Sequence, residues 1–300
     1  MRKIAALAVV SAVIYLSLRS TTPFFPRVSG PEIPRSKLER IVEKSLKSIE
    51  NNPSDLTARV DMGVAHFHMG PEFYDEALNE LSDAWAGGAF DERIFYYLGV
   101  LYENITVNEE AEKQYRRFLN HHPDDREILL RLARLLFRQG HWEQAVEQYS
   151  KLAEKTPKDS TSLVNLGLAY QARHKTESAL KGKDRMTDAE ISGFLNQGIA
   201  RLEQAKTLSP DLSRGIHLAL AEMYAASEEW EKSLQAAGNE LLKYPGAADT
   251  AALALQAQAL QKLNRNEELL NTYEKWAAAD PKNRSLPGKI SALKRKLKAK

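Results

Sequence analysis

The chain has 300 residues, of which 43% are hydrophobic and 27% are charged, and its formal net charge is +2. This composition is typical of a globular protein, and the small net charge disfavours nucleic acid as the partner. Because the chain contains no cysteine, disulfides, thiolate catalysis and cysteine-ligated metal are excluded.

The first element in chain order is an apolar run near the N-terminus. Residues 4–18 form an uncharged stretch with basic residues on both sides. As an α-helix it would span about 22 Å, short of the roughly 30 Å hydrocarbon core but within reach of a short anchor with snorkelling flanks. A signal peptide has a similar run, but Leu18 and Arg19 stand where cleavage needs small residues. Residues 1–19 are therefore predicted to be an uncleaved signal anchor, with a removed signal peptide as the alternative.

The positive charges do not favour one orientation of this anchor strongly, because basic residues flank it on both sides. A short basic N-terminal region usually stays in the cytoplasm, so we expect the remaining chain in the periplasm or another extracytoplasmic compartment. Residues 20–34 contain four of the 12 prolines and predict an extended, Pro-rich linker. Residues 35–52 carry one apolar stripe, which predicts a single helix that caps the helices after it.

From residue 53 onward the sequence repeats itself. Pro123 and Pro157 are 34 residues apart, and Pro210, Pro245 and Pro281 continue the series after one long interval. Small and large residues keep the same offsets within each period. Gly99, Tyr102, Ala111 and Tyr115 correspond to Ala133, Leu136, Ala145 and Tyr149.

A 34-residue unit with a small residue and an aromatic in one helix, and a small residue, an aromatic and a closing proline in the next, resembles the tetratricopeptide repeat (TPR) family. The resemblance implies an all-α superhelical solenoid of helix-turn-helix repeats, with six repeats over residues 53–283. Two helices approach closely where one presents no bulk, so small residues mark the crossings. The predicted packing positions are Gly63, Gly99, Ala111, Ala133, Ala145, Gly167 and Gly198.

The long proline interval indicates an insertion of 19 residues in the fourth repeat, near residues 173–191. Thr187 to Glu190 read TDAE, a capping box, which predicts a new helix from there to about Leu208. We therefore expect the extra residues to lengthen the turn within this repeat, either as a tolerated edge insertion or as a contact arm. Residues 284–300 predict a basic helix that caps the array, with a membrane-surface or acidic-partner patch as the alternative.

No motif in the sequence indicates catalysis. HExxH, GxxxxGK[ST], GxSxG and GxGxxG are all missing, and the seven histidines show no convergent spacing. The sequence therefore predicts a protein that is not an enzyme and has no cofactor and no metal site. An enzyme with an unrecognised site is kept as an alternative.

In the TPR family, the first helix of each repeat lines the inner groove, at positions two before, one after and five after the small residue. Here these positions in the third repeat hold Arg131, Arg134 and Arg138, and neighbouring repeats hold Tyr97 and Asn165. Three like charges on one helical face favour an anionic partner, and the alternative is that they pair with glutamates of neighbouring helices and only hydrate the surface. The lysine and asparagine pattern with which some family members clamp a C-terminal carboxylate is not reproduced.

Taken with the predicted anchor, the resemblance implies a membrane-anchored scaffold or adaptor for protein–protein interactions in envelope assembly or biogenesis. Its expected ligand is a protein or peptide with an acidic segment, and residues 4–18 are expected to contact the membrane. The alternative is a nucleic-acid or acidic-surface binder that uses the arginines and the basic C-terminal helix. A strong dependence of nucleic-acid binding on salt would favour that alternative.

Overall fold

A computed structural model describes residues 24–182, 186–210, 215–243 and 250–298, and these ranges are built from α-helices joined by short turns. The chain forms two compact units, unit 1 (Met1–Ile128) and unit 2 (Leu129–Lys300). The predicted anchor in residues 1–19 lies outside the described residues. Within the described ranges, no helix is both long enough and apolar enough to cross a bilayer.

Unit 1 contains one leading helix and two helix pairs. The helices are α1 (Arg35–Asn51), α2 (Leu56–Met69), α3 (Tyr74–Ala86), α4 (Glu92–Asn104) and α5 (Asn108–His121), with a short 3-10 turn at Pro71–Phe73. Each helix packs against the next one along the chain. Helix α1 therefore covers α2, at the end of the unit where the sequence predicts a capping helix. Helix α6 (Arg126–Arg138) begins in unit 1 and ends in unit 2.

After α6, unit 2 contains one helix, three helix pairs and a final helix. These are α7 (Trp142–Lys155), α8 (Ser160–Ala179), α9 (Asp188–Leu208), α10 (Ile216–Ala226), α11 (Trp230–Lys243), α12 (Thr250–Lys262), α13 (Asn266–Ala279) and α14 (Leu286–Lys298). From α7 onward each helix contacts its successor. Helix α14 buries Leu286 and Leu293 against Leu269 and Tyr273 of α13, which is how a capping helix contacts the end of an array.

The small residues predicted at crossings all lie buried. At Gly99, an added Cβ would stand 2.6 Å from the Tyr115 ring, so only a hydrogen fits between α4 and α5. Gly167 and Gly198 lie at the crossing of α8 and α9, where a Cβ on Gly198 would come within 3.1 Å of the Gly167 carbonyl oxygen. These pairs approach closely because each lacks a side chain at the point of contact.

The insertion in the fourth repeat mainly lengthens helices. Helix α8 has 20 residues and α9 has 21, against 13 and 14 in the pair before them. Helix α9 begins with the predicted capping box, in which Thr187 and Glu190 bond reciprocally, and ends at Leu208 as predicted. The turn was expected to absorb the extra residues, but it takes only those that the two longer helices leave, because residues 173–179 contain no glycine or proline to end α8. The added turns also contact each other, since the Arg173 guanidinium lies 4.1 Å from the Phe194 ring centre.

Candidate protein-interaction sites

The described part of the predicted linker lies against unit 1. Residues 24–29, here called the N-terminal segment, contain no helix or strand and enter a turn at Val28. The segment contacts His68 on α2, Tyr96 on α4 and Asp125 just before α6. The Phe25 ring contacts Tyr96 edge-on at 5.3 Å between ring centres and lies 6.3 Å from Phe118. The Tyr97 hydroxyl donates a hydrogen bond to the Pro26 carbonyl oxygen. Phe25 therefore occupies an aromatic pocket in a groove of unit 1, and the backbone beside it is hydrogen-bonded.

Arg27 of the N-terminal segment is bound by two carboxylates and an aromatic ring. Its Nη2 lies 2.8 Å from Asp125 Oδ1, and its Nε lies 3.4 Å from Glu127 Oε2. Its guanidinium carbon stands 4.3 Å from the centre of the Tyr96 ring, a cation–π distance. The side chain is 29% exposed, so these charge-assisted bonds form where water is partly excluded.

Arg93 forms the charged floor of the same groove. It is 1% exposed, and its charge is balanced by Asp61, 2.6 Å from Nη1, and by Asp91, 2.7 Å from Nη2. Nη1 also donates to the Phe24 carbonyl oxygen at 2.8 Å. A buried arginine is tolerated when its donors are satisfied, and part of that satisfaction comes from the N-terminal segment.

The polar groups of the segment continue the network along the groove. The Val28 N–H donates to the Tyr96 hydroxyl oxygen at 2.8 Å, and that hydroxyl donates to Glu127 Oε1 at 2.8 Å. Ser29 Oγ donates to Glu127 Oε2, also at 2.8 Å. Burial raises the pKa of Tyr97, so its hydroxyl keeps its proton and remains a donor. Side chains of unit 1 therefore contact both the backbone and the side chains of the segment.

In unit 2, three of the sequence-predicted residues lie together. Arg134, Arg138 and Asn165 line one open pocket of about 250 Å³, together with Phe137, Tyr149 and Leu168. Burial raises the pKa of Tyr149 to about 12, although both arginines oppose the shift, so its hydroxyl is neutral at physiological pH. Asn165 Nδ2 is buried and has no hydrogen-bond partner among the described residues.

The remaining two predicted residues have other surroundings. Arg131 lies half-buried on α6, one turn before Arg134. Tyr97 is fully buried in unit 1, where its ring lies 6.0 Å from Phe25 and its hydroxyl bonds Pro26. The structure thus groups two of the arginines with Asn165 and places Tyr97 in the groove that holds the N-terminal segment.

Sequence reasoning missed the residues that bind this segment, above all Arg93, Tyr96, Asp125 and Glu127. One signal was available in the linker itself, where PFFPR combines aromatic, rigid and charged residues that a passive linker does not need. The second signal was the acidic pair in PDDRE, which sequence alone explains as helix capping.

Comparison with known proteins supports the repeat architecture. Tetratricopeptide repeat profiles match residues 108–166 and residues 252–285. The predicted tetratricopeptide repeats are confirmed there. Repeats of this type mediate protein–protein interactions, which is the class of function that the sequence predicts.

A similar curated protein is the Photosystem I assembly protein Ycf3 of Synechococcus sp. (strain CC9311), which is 29% identical over 120 residues. The match covers 39% of this chain and 66% of that protein.

Two solved structures share the fold at 16% identity. The crystal structure of MamA protein aligns with a TM-score of 0.52 over 65% of this chain and 94% of that one. A chain in the structure of Naa15/Naa10 bound to HypK-THB aligns with a TM-score of 0.58 over 86% of this chain and 38% of that one. The predicted all-α, TPR-like helical-repeat fold is thereby confirmed.

Proposed function

We propose that the protein is a membrane-tethered TPR adaptor that binds an acidic segment of a partner protein in the pocket of Arg134, Arg138 and Asn165. The observation that carries the proposal is the buried Asn165 amide, whose Nδ2 has no hydrogen-bond partner among the described residues. It lies in a pocket that is also lined by the guanidinium groups of Arg134 and Arg138. A buried donor without an acceptor is unfavourable by about 1–3 kcal/mol, so a ligand that supplies acceptors gains that energy.

The apolar part of the pocket narrows the class of ligand. Phe137 and Leu168 lie beside the donors, so an apolar side chain next to the acid would also be buried. Guanidinium groups bind carboxylates through paired, charge-assisted hydrogen bonds. The pocket therefore suits a peptide segment in which a carboxylate adjoins an apolar residue.

The cellular setting is part of the same proposal. The apolar run of residues 4–18 favours a membrane tether, with the repeats on the extracytoplasmic side of an envelope membrane. The similar protein from Synechococcus is named as an assembly protein, which favours a role in assembling a larger complex. Retention of the full-length chain in the membrane fraction after carbonate washing would support the tether. A soluble chain whose intact mass begins near Thr21 would contradict it.

The partner is to be identified by crosslinking in membranes that contain the full-length protein, followed by affinity capture and mass spectrometry. The captured partner is then titrated against wild type and Arg134→Glu. Hydrogen bonds to charged groups contribute roughly 1.5–3 kcal/mol each, so we expect Arg134→Glu to weaken binding by about 10-fold to 100-fold. High salt should also weaken binding to wild type, because exposed charges are screened.

Arg201→Glu is the matched control, because Arg201 is an exposed arginine of unit 2 that bonds Gln204 on its own helix. It makes the same change in net charge outside the pocket lining. Equal affinities of Arg134→Glu and Arg201→Glu for the partner, with both variants folded by circular dichroism, would contradict the proposed site.

A further inference from the structure

We infer that the groove of unit 1 is a second peptide-binding site, for a partner segment that carries an aromatic residue, a proline and an arginine in that order. The chain's own Phe25, Pro26 and Arg27 occupy this groove as a ligand in cis. The inference concerns residues other than those of the Arg134 pocket and does not depend on the function proposed for that pocket.

Each of the three ligand residues has its own counterpart in the groove. Phe25 lies among aromatic rings, within 5.3 Å of Tyr96 between ring centres. The Pro26 carbonyl oxygen accepts from Tyr97 and lies 3.3 Å from His68 Nε2. Arg27 is held by Asp125 and Glu127 and covers the Tyr96 ring, as described above. The aromatic subsite of Phe25 and the acidic subsite of Arg27 are separate, and separate subsites for individual side chains are what give a peptide site its sequence preference.

The groove also binds the backbone of the segment through side chains of the repeats. The carbonyl of Phe24 accepts from Arg93, and the N–H of Val28 donates to the Tyr96 hydroxyl. Backbone contacts of this kind would form equally with any extended chain, because they do not depend on side-chain identity. The backbone contacts therefore favour affinity, and the aromatic and acidic subsites select the residues.

The groove floor itself favours a peptide over an apolar plug. Arg93 is buried and donates from Nη1 to the Phe24 carbonyl, and the Tyr97 hydroxyl donates to the Pro26 carbonyl. An apolar cover would remove the acceptor that Arg93 Nη1 now finds in the Phe24 carbonyl, and a buried donor that loses its acceptor is unfavourable. A ligand of this groove must therefore supply carbonyl oxygens in an extended arrangement, and Pro26 favours such a backbone.

The cis segment sets the conditions under which a partner can bind. Only residues 30–34 connect it to α1, and so short a connection gives an effective concentration on the order of millimolar. A partner segment has to displace residues 24–29, so its apparent affinity falls by the fraction of molecules whose groove is open. Weakening the cis ligand should therefore strengthen binding of the same sequence offered in trans.

The test uses a labelled peptide with the sequence of residues 22–30, TPFFPRVSG, and purified full-length protein. Binding is measured to wild type, to Arg27→Glu and to the double variant Phe25→Ala/Arg27→Glu. Amide hydrogen exchange over residues 24–30 reports whether the cis segment has left the groove. Arg40→Glu is the matched control, because Arg40 is exposed on α1 and donates only to Ser36 of that helix in the described contacts.

We expect faster exchange of residues 24–30 in both variants and binding of the peptide at least tenfold tighter than to wild type, because a groove that is open in less than a tenth of wild-type molecules lowers apparent affinity by that factor. A peptide with alanine in place of its arginine should bind at least tenfold more weakly. Arg40→Glu and Arg134→Glu should each behave like wild type, which separates this site from the pocket in unit 2.

Three results would overturn the inference. The first is a released segment without peptide binding, which would make residues 24–29 a structural cover of unit 1. The second is equal binding of the two peptides, which would remove the arginine preference. The third is unchanged exchange in the double variant, because Phe25 and Arg27 would then not be the residues that hold the segment.

Discussion

Replacing Gly198 by alanine should destabilise unit 2, whereas the same replacement at Gly193, on the same helix, should not. An added Cβ on Gly198 would stand 2.3 Å from Met223 Cε, 3.1 Å from the Gly167 carbonyl oxygen and 3.2 Å from Tyr170 Cβ. The end of the methionine side chain can rotate away. The Gly167 oxygen and the Tyr170 Cβ belong to or adjoin the α8 backbone, so they can yield only if the two helices separate.

The comparison of the two glycines isolates this packing effect. A Cβ at Gly193 would meet nothing within 4 Å in the described structure. Both substitutions gain the same helix propensity, roughly 0.5–1 kcal/mol, by reducing the freedom of the unfolded chain. That gain cancels between the variants, and what remains is the overpacking at Gly198, which typically amounts to about 1–3 kcal/mol. Gly193→Ala should accordingly be as stable as wild type or slightly more stable.

The measurement is urea denaturation of the full-length protein, followed by far-ultraviolet circular dichroism, with hydrogen exchange over α8 and α9 to locate the effect. We expect a lower free energy of unfolding for Gly198→Ala than for Gly193→Ala and faster exchange at the crossing. Equal stability of the two variants would refute the reasoning, because it would mean that α8 and α9 do not depend on the missing side chain for their approach.

Three further predictions concern turns, a buried carboxylate and pH. Thr106 and Gly140 occupy equivalent turns with positive φ, 62° and 78°. Thr106→Gly should therefore raise and Gly140→Thr lower the free energy of unfolding, by about 1 kcal/mol each, and the opposite signs would contradict the turn geometry. Glu240 is buried and accepts a hydrogen bond from the Gly215 N–H at 2.9 Å. In the same assay Glu240→Ala should lose about 1–3 kcal/mol of stability. Glu240→Gln should lose less, because the amide oxygen can still accept that hydrogen bond. Burial lowers the pKa of four histidines in the folded chain, His66, His68, His174 and His217. Because the unfolded chain then binds more protons, stability should fall as pH drops through about 6.5, and His68→Asn should reduce that slope.

The helix pairs could be predicted from sequence because their determinants are local and periodic. A crossing needs a small residue at a fixed offset from an aromatic residue, and the same offset recurs in several of the 34-residue repeats. The start of α9 could also be predicted, since the capping residues Thr187 and Glu190 lie within one turn of each other. The lengths of α8 and α9 could not be predicted, because a helix without a stop signal in its sequence ends where its packing contacts end. One such contact, between Arg173 and Phe194, forms only when both helices are present.

The N-terminal segment shows a different limit of sequence reasoning. Its prolines predict an extended backbone, but they contain no information on which surface that backbone contacts. The partners of Arg27 are 98 and 100 residues away in the sequence, at Asp125 and Glu127. No periodic pattern connects positions at such a separation, so the contact appears only once the helices between them are packed.

The acidic residues of the groove also have a second role that conceals the first. Asp125 Oδ1 accepts from the Ile128 N–H at 3.0 Å, as an N-cap does, and Glu127 lies in the first turn of α6, where the helix dipole favours a negative charge. Capping thus accounts for both carboxylates without any ligand. The same Asp125 oxygen accepts from Arg27 at 2.8 Å, so one group both begins the helix and binds the segment. The arginines further along α6 are predicted to bind a ligand because like charges on one face repel each other, whereas acids at a helix start already have a structural role. Capping carboxylates in helical repeats should therefore be tested for a second binding partner. Capping explains why an acidic residue stands at the helix start, but it does not determine which other group that carboxylate binds.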